Sequence, residues 1–234
     1  MNPYLAEFVG TLLLVLLGNG VVAGVTLKGT KSENGGYLMV CLAWGIAVML
    51  AVYAVGRISG AHINPAVTIA LVVSGDFPAS EAAGYMLGQI AGAFTGAVLV
   101  YLHYYTHWKA TPDPLMKLGT FCTTPAMRSP IHNLFSEFLG TLVLALGVLF
   151  IGANEFTEGL NPIAVGALIT SIGFGLGGTT GFAINPARDL GPRIAHAVLP
   201  IPGKGSSDWA YSWIPVVGPL LGGATGAWLY TIIF

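Results

Sequence analysis

The chain has 234 residues, 54% of them hydrophobic and only 8% charged, with a formal net charge of −1. A soluble domain carries about 25% charged residues, so this chain lacks the polar surface to cover a water-facing globule. The near-zero charge excludes the basic field of a nucleic-acid binder and the acidic tail that recruits a protein partner. Cys41 in an apolar run and Cys122 in a polar loop make no CxxC or Cys/His spacing, which argues against a disulfide framework or a zinc site.

The first apolar run, 4–25, begins without a basic flank or a small-residue cleavage pattern, so it reads as a span rather than a signal peptide. Further long runs follow at 37–56, 82–104, 132–152, 161–178 and 212–234. All six are expected to be helices, because lipid offers no water to an unpaired backbone. Two shorter apolar stretches, 64–74 and 185–198, each start at an Asn-Pro-Ala triplet. Neither reaches the about 20 residues needed to cross a hydrocarbon core of ~30 Å. The polar segment 105–131, with "TPDPLMK" and "MRSP", is expected to be an extended external or lid-like loop. The termini extend only a few residues beyond their helices, so no soluble regulatory domain is expected. The expectation is an all-α membrane protein with six transmembrane helices and two re-entrant half-helices.

An internal repeat organises these elements. "AEFVGTLLL" at 6–14 matches "SEFLGTLVL" at 136–144, and "GQIAGAFTGAVL" at 88–99 matches "GPLLGGATGAWL" at 218–229. "SGAHINPA" at 59–66 matches "TGFAINPA" at 180–187. Residues 1–234 therefore read as one transmembrane domain with repeat halves 1–115 and 116–234. Each half holds three spans, an odd number, so the second copy is inverted relative to the first. Gly88, Gly92 and Gly96 recur at the spacing that lets membrane helices approach closely, as do Gly218, Gly222 and Gly226.

Asn is a good N-cap and Pro suits the first helical position, so Asn64-Pro65 and Asn185-Pro186 read as helix starts. In an inverted pair, the two half-helices enter from opposite faces and meet N-terminus to N-terminus at the midplane. Two helix N-termini there present partial positive charge, about half an elementary charge each. The amides of Asn64 and Asn185 are expected to donate to a passing solute while their oxygens cap the helices. Non-helical backbone is tolerated at this depth only where it is buried in protein or lines a wet cavity. The carbonyls of Gly60, Ala61, His62, Ile63, Gly181, Phe182, Ala183 and Ile184 are therefore expected to form a ladder of acceptors opposite an apolar wall.

The paired triplets, the layout of six spans and two half-spans, and the glutamates Glu7 and Glu137 resemble the aquaporin family of water and small-solute channels. The resemblance covers essentially the whole chain. It implies a homotetramer with one pore per subunit, no cofactor, no catalysis and no energy coupling, with Glu7 and Glu137 anchoring the re-entrant loops. The family's constriction falls by spacing from the motifs on Trp44, Gly173, Phe182 and Arg188. Water-selective members carry a His where Gly173 stands. Asp189, Arg193 and Pro219-Leu220 resemble the glycerol-conducting branch, with Asp189 read as a structural first-turn charge. The resemblance thus implies a passive channel for glycerol and other small neutral solutes, with water, that excludes protons and ions.

The alternatives are a water-selective member, or a channel for another small neutral molecule such as protonated lactic acid, dihydroxyacetone, urea or hydrogen peroxide. A coupled transporter would need free acidic groups at the midplane, and no HExxH or GxSxG motif suggests an enzyme. His103, His107 and His196 read as interfacial or loop residues. A bacterial inner membrane with cytoplasmic termini is expected. That orientation leaves Lys28, Lys31, Lys109, Lys117, Arg128, Arg188, Arg193 and Lys204 outside and only Arg57 inside, against the positive-inside rule.

Overall fold

A computed structural model describes all 234 residues, Met1–Phe234, and the chain is helical throughout. The helices are α1 (Pro3–Thr26), α2 (Gly36–Ser59), α3 (Pro65–Ser74), α4 (Ala79–His103), α5 (Tyr105–Ala110), α6 (Pro114–Phe121), α7 (Pro130–Gly152), α8 (Asn161–Leu176), α9 (Pro186–Val198) and α10 (Ile214–Ile233). Five of them, α1, α2, α4, α7 and α10, are long and apolar enough to cross a membrane. The sixth expected span, 161–178, is the 16-residue α8. It stops at Leu176 because the chain turns through Gly177 into the loop before α9, with the Gly181 amide donating to the Gly177 carbonyl at 2.8 Å.

Local chemistry sets the two half-helices. Asn64 and Asn185 are extended (φ −160° and −154°), and Pro occupies the first turn of each helix. The Asn64 side-chain oxygen accepts from the Ala66 amide at 2.8 Å. That of Asn185 accepts from Ala187 and Arg188 at 3.0 and 3.2 Å.

The glycine rows do the close packing. A Cβ on Gly92 would collide with the Phe8 carbonyl of α1, and one on Gly222 with the Phe138 carbonyl of α7. Phe8 and Phe138 occupy matching positions of the repeat, so both halves use the same backbone-to-backbone contact, α4 on α1 and α10 on α7. Each half-helix then leans on the closing helix of the other half. A Cβ on Gly223 of α10 would stand 2.5 Å from the Ala66 carbonyl oxygen of α3, and one on Gly191 of α9 would stand 2.9 Å from the Ile90 carbonyl oxygen of α4.

The 105–131 segment departs from expectation. It contains α5 and α6, and it is anchored rather than extended. Trp108 is fully buried, stacks on Tyr101 and Phe121, and donates from its indole N–H to the Tyr101 carbonyl at 2.9 Å. Asn19, inside α1, donates to the Phe121 carbonyl at 2.8 Å. With Ala187 and Ala195 of α9, these side chains form a second hydrophobic core. Polar composition concealed the fold because a few large apolar residues are enough to seat a short segment.

Candidate functional site

Two buried carboxylates shape the loops that precede the half-helices. Glu7 accepts from the amides of His62 and Ile63 at 2.9 and 2.6 Å. Glu137 accepts from those of Ala183 and Ile184 at 3.0 and 2.8 Å. In a trans peptide the N–H and the preceding carbonyl point in opposite directions. Tying the amides back to the glutamates therefore turns the carbonyls of Ala61, His62, Phe182 and Ala183 away from them, toward the cavity these residues line. The Ala61 amide donates to Ser59 Oγ at 3.1 Å and turns the Gly60 carbonyl in the same way. Left-handed backbone makes the turn possible: φ is 82°, 51° and 44° at Gly60, Ala61 and Ile63, and 83°, 38° and 41° at Gly181, Phe182 and Ile184. For the non-glycines this costs of order 1–3 kcal/mol each, held by the surrounding hydrogen bonds.

The two half-helices meet through their caps. Asn64 Nδ2 donates to the Ile184 carbonyl, and Asn185 Nδ2 to the Ile63 carbonyl, both at 2.8 Å. The carbonyls of Ile63 and Ile184 thus each hold the opposite asparagine, with one lone pair left on each. Each amide carries two N–H bonds, so one remains on each asparagine beside the cavity.

That cavity has a volume of ≈ 500 Å³. The loop carbonyls and the two asparagines form one wall, and Val48, Val52, Leu144, Val148 and Ile169 form the other. Beyond Asn185 it closes on Trp44, Phe182 and Arg188, and at its other end it reaches Asp76 and Asn161. The Arg188 guanidinium carbon lies 4.3 Å from the centre of the Trp44 ring. Trp44 is buried and lines this cavity.

Gly173 and Gly181 do not line this cavity. Gly173 is buried on α8, where an added Cβ would stand 3.0 Å from Cys41 Sγ and 3.1 Å from Phe182 Cζ. The space left by the missing side chain is filled by the Phe182 ring and the Cys41 thiol. The expected four-residue ring is thus Trp44, Phe182 and Arg188 on the cavity, with Gly173 behind Phe182.

Beyond the loops, Asp189 is fully buried against Arg193, which donates Nε to it at 2.9 Å. Asp189 also accepts from the amide and hydroxyl of Thr123 at 2.8 and 2.7 Å. Arg193 donates onward to the carbonyls of Ser207 and Thr123 at 2.8 and 3.0 Å. His62 contacts Thr68 Oγ1 through Nδ1 at 3.2 Å and packs against both Phe77 and Tyr85, which also touch each other. His196 is neither interfacial nor in a loop: it lies in α9, fully buried, with Nδ1 on Ser207 Oγ at 2.8 Å. Gln89, which donates to Glu7 Oε2 at 2.7 Å and to Thr68 Oγ1 at 3.0 Å, escaped the sequence reading. Its signal was a lone amide inside an apolar helix. Thr123 carried no signal at all.

The anomalous basic residues are largely consumed by structure. Lys28 pairs with Glu33 at 2.7 Å, Arg128 pairs with Asp208, and Arg193 with Asp189. Lys117 binds the Pro202 carbonyl, and Lys204 binds the carbonyls of His196, Ala197 and Leu199 at 2.6–2.8 Å, closing the end of α9. Among the cations of that set other than Arg188, Lys31 and Lys109 alone make no hydrogen bond or ion pair. The ammonium groups of Lys117 and Lys204 keep their charge, so the departure from the positive-inside rule stands.

Membrane-length helices around a cavity lined by loop backbone, two asparagines and apolar side chains define a transmembrane channel or transporter. The chain belongs to the major intrinsic protein family, whose model matches residues 1–230. It is 60% identical over 234 residues to the "Probable glycerol uptake facilitator protein" of Thermotoga maritima, covering 100% of both chains. It is 58% identical to the "Glycerol uptake facilitator protein" of Bacillus subtilis, covering 100% of this chain and 85% of that one. Its fold is similar to the X-ray structure of the aquaglyceroporin from Plasmodium falciparum, with TM-score 0.88 and 30% identity over 99% of this chain and 95% of that one.

Proposed function

We propose that the protein is a passive channel for glycerol and related small neutral solutes, admitting water and excluding protons and ions. The observation that carries this reading is the cavity lined together by Trp44, Phe182 and Arg188 and by the crossed asparagines. Two aromatic faces suit the carbon edge of a polyol, and the guanidinium and loop carbonyls suit its hydroxyl edge. Asn64 and Asn185 each offer one N–H to a solute oxygen. A water held by both points its own hydrogens away from the midplane, so a continuous proton relay is broken there. Arg188 repels hydronium and metal cations electrostatically. Glu7 and Glu137 are taken up by loop amides, which leaves no midplane carboxylate for ion coupling and favours a channel over a coupled transporter. The names of the relatives support glycerol as the solute. We further assign the functional unit as a homotetramer in a bacterial inner membrane, with cytoplasmic termini and the Arg188 end outermost.

Reconstituted vesicles test the reading directly. In an inward glycerol gradient, protein-containing vesicles should reswell faster than empty ones, with a rate linear in the gradient. Reswelling at the rate of empty vesicles would falsify it, and water flux with glycerol rejected would identify a water-selective channel. Arg188→Val should add a measurable proton or small-cation leak while the protein remains folded, and unchanged leakage would remove Arg188 from its role.

A further inference from the structure

The Phe182 ring does not hold its place through its own loop alone. It lies along α8, where a Cβ on Gly173 would stand 3.1 Å from Phe182 Cζ and one on Gly177 would stand 2.5 Å from Phe182 Cδ1. Gly177 is buried, and its backbone is right-handed (φ −76°, ψ −18°). Any L residue adopts those angles, so this glycine is required by space rather than by dihedral freedom. The same added Cβ would also collide with the Tyr37 hydroxyl. Tyr37, in the first turn of α2, meets Phe182 edge to face, with ring centres 6.3 Å apart at 88°. The ring is thus seated on a bare strip of α8 and stopped at one end by Tyr37. Its free side is the cavity.

Resting on the glycerol-channel reading above, we infer that Gly177 and Tyr37 are positioning residues that set the width of the passage through the Phe182 ring, and so decide which polyols enter. The backbone beside Phe182 cannot yield, because Glu137 holds the next two amides. Behind the ring, Gly173 and Cys41 leave no room. A methyl at 177 meets the Gly173 carbonyl oxygen at 2.6 Å as well as the Phe182 ring. The helix backbone is the stiffer partner, so the ring swings toward Trp44 and Arg188, where the added width of a carbon skeleton is refused before water is. Removing Tyr37 acts in the opposite sense, giving the ring somewhere to retreat.

The test is a set of permeabilities in reconstituted vesicles. Gly177→Ala should lower glycerol flux about tenfold while water flux falls about twofold or less. Tyr37→Ala should admit a five-carbon linear polyol that the unsubstituted protein rejects. The double variant should return glycerol flux to within about threefold of the unsubstituted protein, since ring and methyl can share the vacated space. A general folding defect would lower water and glycerol together and would not be relieved by a second truncation, and either result overturns the inference. A crystal structure of Gly177→Ala decides the packing independently of glycerol: a ring displaced toward Arg188 supports it, and an unmoved ring overturns it. Should the unsubstituted protein pass no glycerol, the channel reading fails, and that displacement still tests the packing claim.

Discussion

The two re-entrant loops reach the same shape with different chemistry. In the first half, Glu7 collects four donors: the amides of His62 and Ile63, the Ser59 hydroxyl and the Gln89 amide. All come from the loop itself, its flanking α2, or α4. In the second half, Pro219 stands where the repeat would place a partner for Gln89, so that side-chain donor to Glu137 is missing. Asp189 stands where the first half has Thr68, four residues after its asparagine. It converts a neutral contact into a buried ion pair with Arg193, tied through Thr123 and Ser207 to segments beyond the half-helix. The first loop is held by neighbouring helices and by Phe77 of the short α3–α4 connection, which packs on His62. The second, which carries Phe182 and leads into Arg188 of α9, is held by longer connecting segments through Asp189 and Arg193. The second half-helix is therefore tied to the 105–131 region through Thr123, and the first is not.

Asp189→Ala should break this comparison most severely. It strands a fully buried guanidinium, a loss of about 3–5 kcal/mol. The thermal midpoint in detergent should fall by several degrees, and a midpoint unchanged within error would mean that Arg193 is satisfied without it. The glycine rows define where the halves should agree instead. Gly92→Ala and Gly222→Ala should each cost about 1–3 kcal/mol by overpacking, with nearly equal shifts in midpoint. Unequal shifts would show that the two close approaches are not equivalent.

Gln89→Leu sharpens the contrast at smaller scale. Three donors to Glu7 remain, and the side-chain oxygen of Gln89 has no partner to lose. The expected loss is about 1–2 kcal/mol, well below that of Asp189→Ala. A larger loss would make the neutral network as demanding as the ionic one.

The smallest effect lies outside the bilayer. Glu33, in the turn between α1 and α2, is held below the usual glutamate range by the Lys28 ammonium and the Gly29 amide. Its folded-state value is depressed, so its contribution is present above the ordinary glutamate range and is lost as pH falls through the folded value. Glu33→Gln should flatten that acid-side slope slightly in pH-dependent unfolding. An unaltered slope would mean that the exposed pair contributes nothing.

Much of this was legible in the chain because it is written locally. The half-helix starts follow from Asn and Pro, whose capping and dihedral preferences need no distant partner. Glu7 and Glu137 stood out as isolated carboxylates in apolar runs. Gly173 was assigned to the passage by its spacing from the motifs. Whether a glycine borders a cavity depends on what fills its missing side chain, and here that is Phe182. The 105–131 segment failed for a related reason: its composition is polar, and its order comes from Trp108 and Phe121 finding α4 and α9.

Hydropathy, the capping residues and the internal repeat by themselves determined which runs are helical, the two half-helices and their pairing, since lipid permits no other use of such runs. The tertiary structure alone decided which carbonyls stay free, which glycine faces the passage and how each loop is braced. Those outcomes turn on contacts such as Asn64 to Ile184, 120 residues apart. Folding brings such partners together through packing, which no local preference encodes.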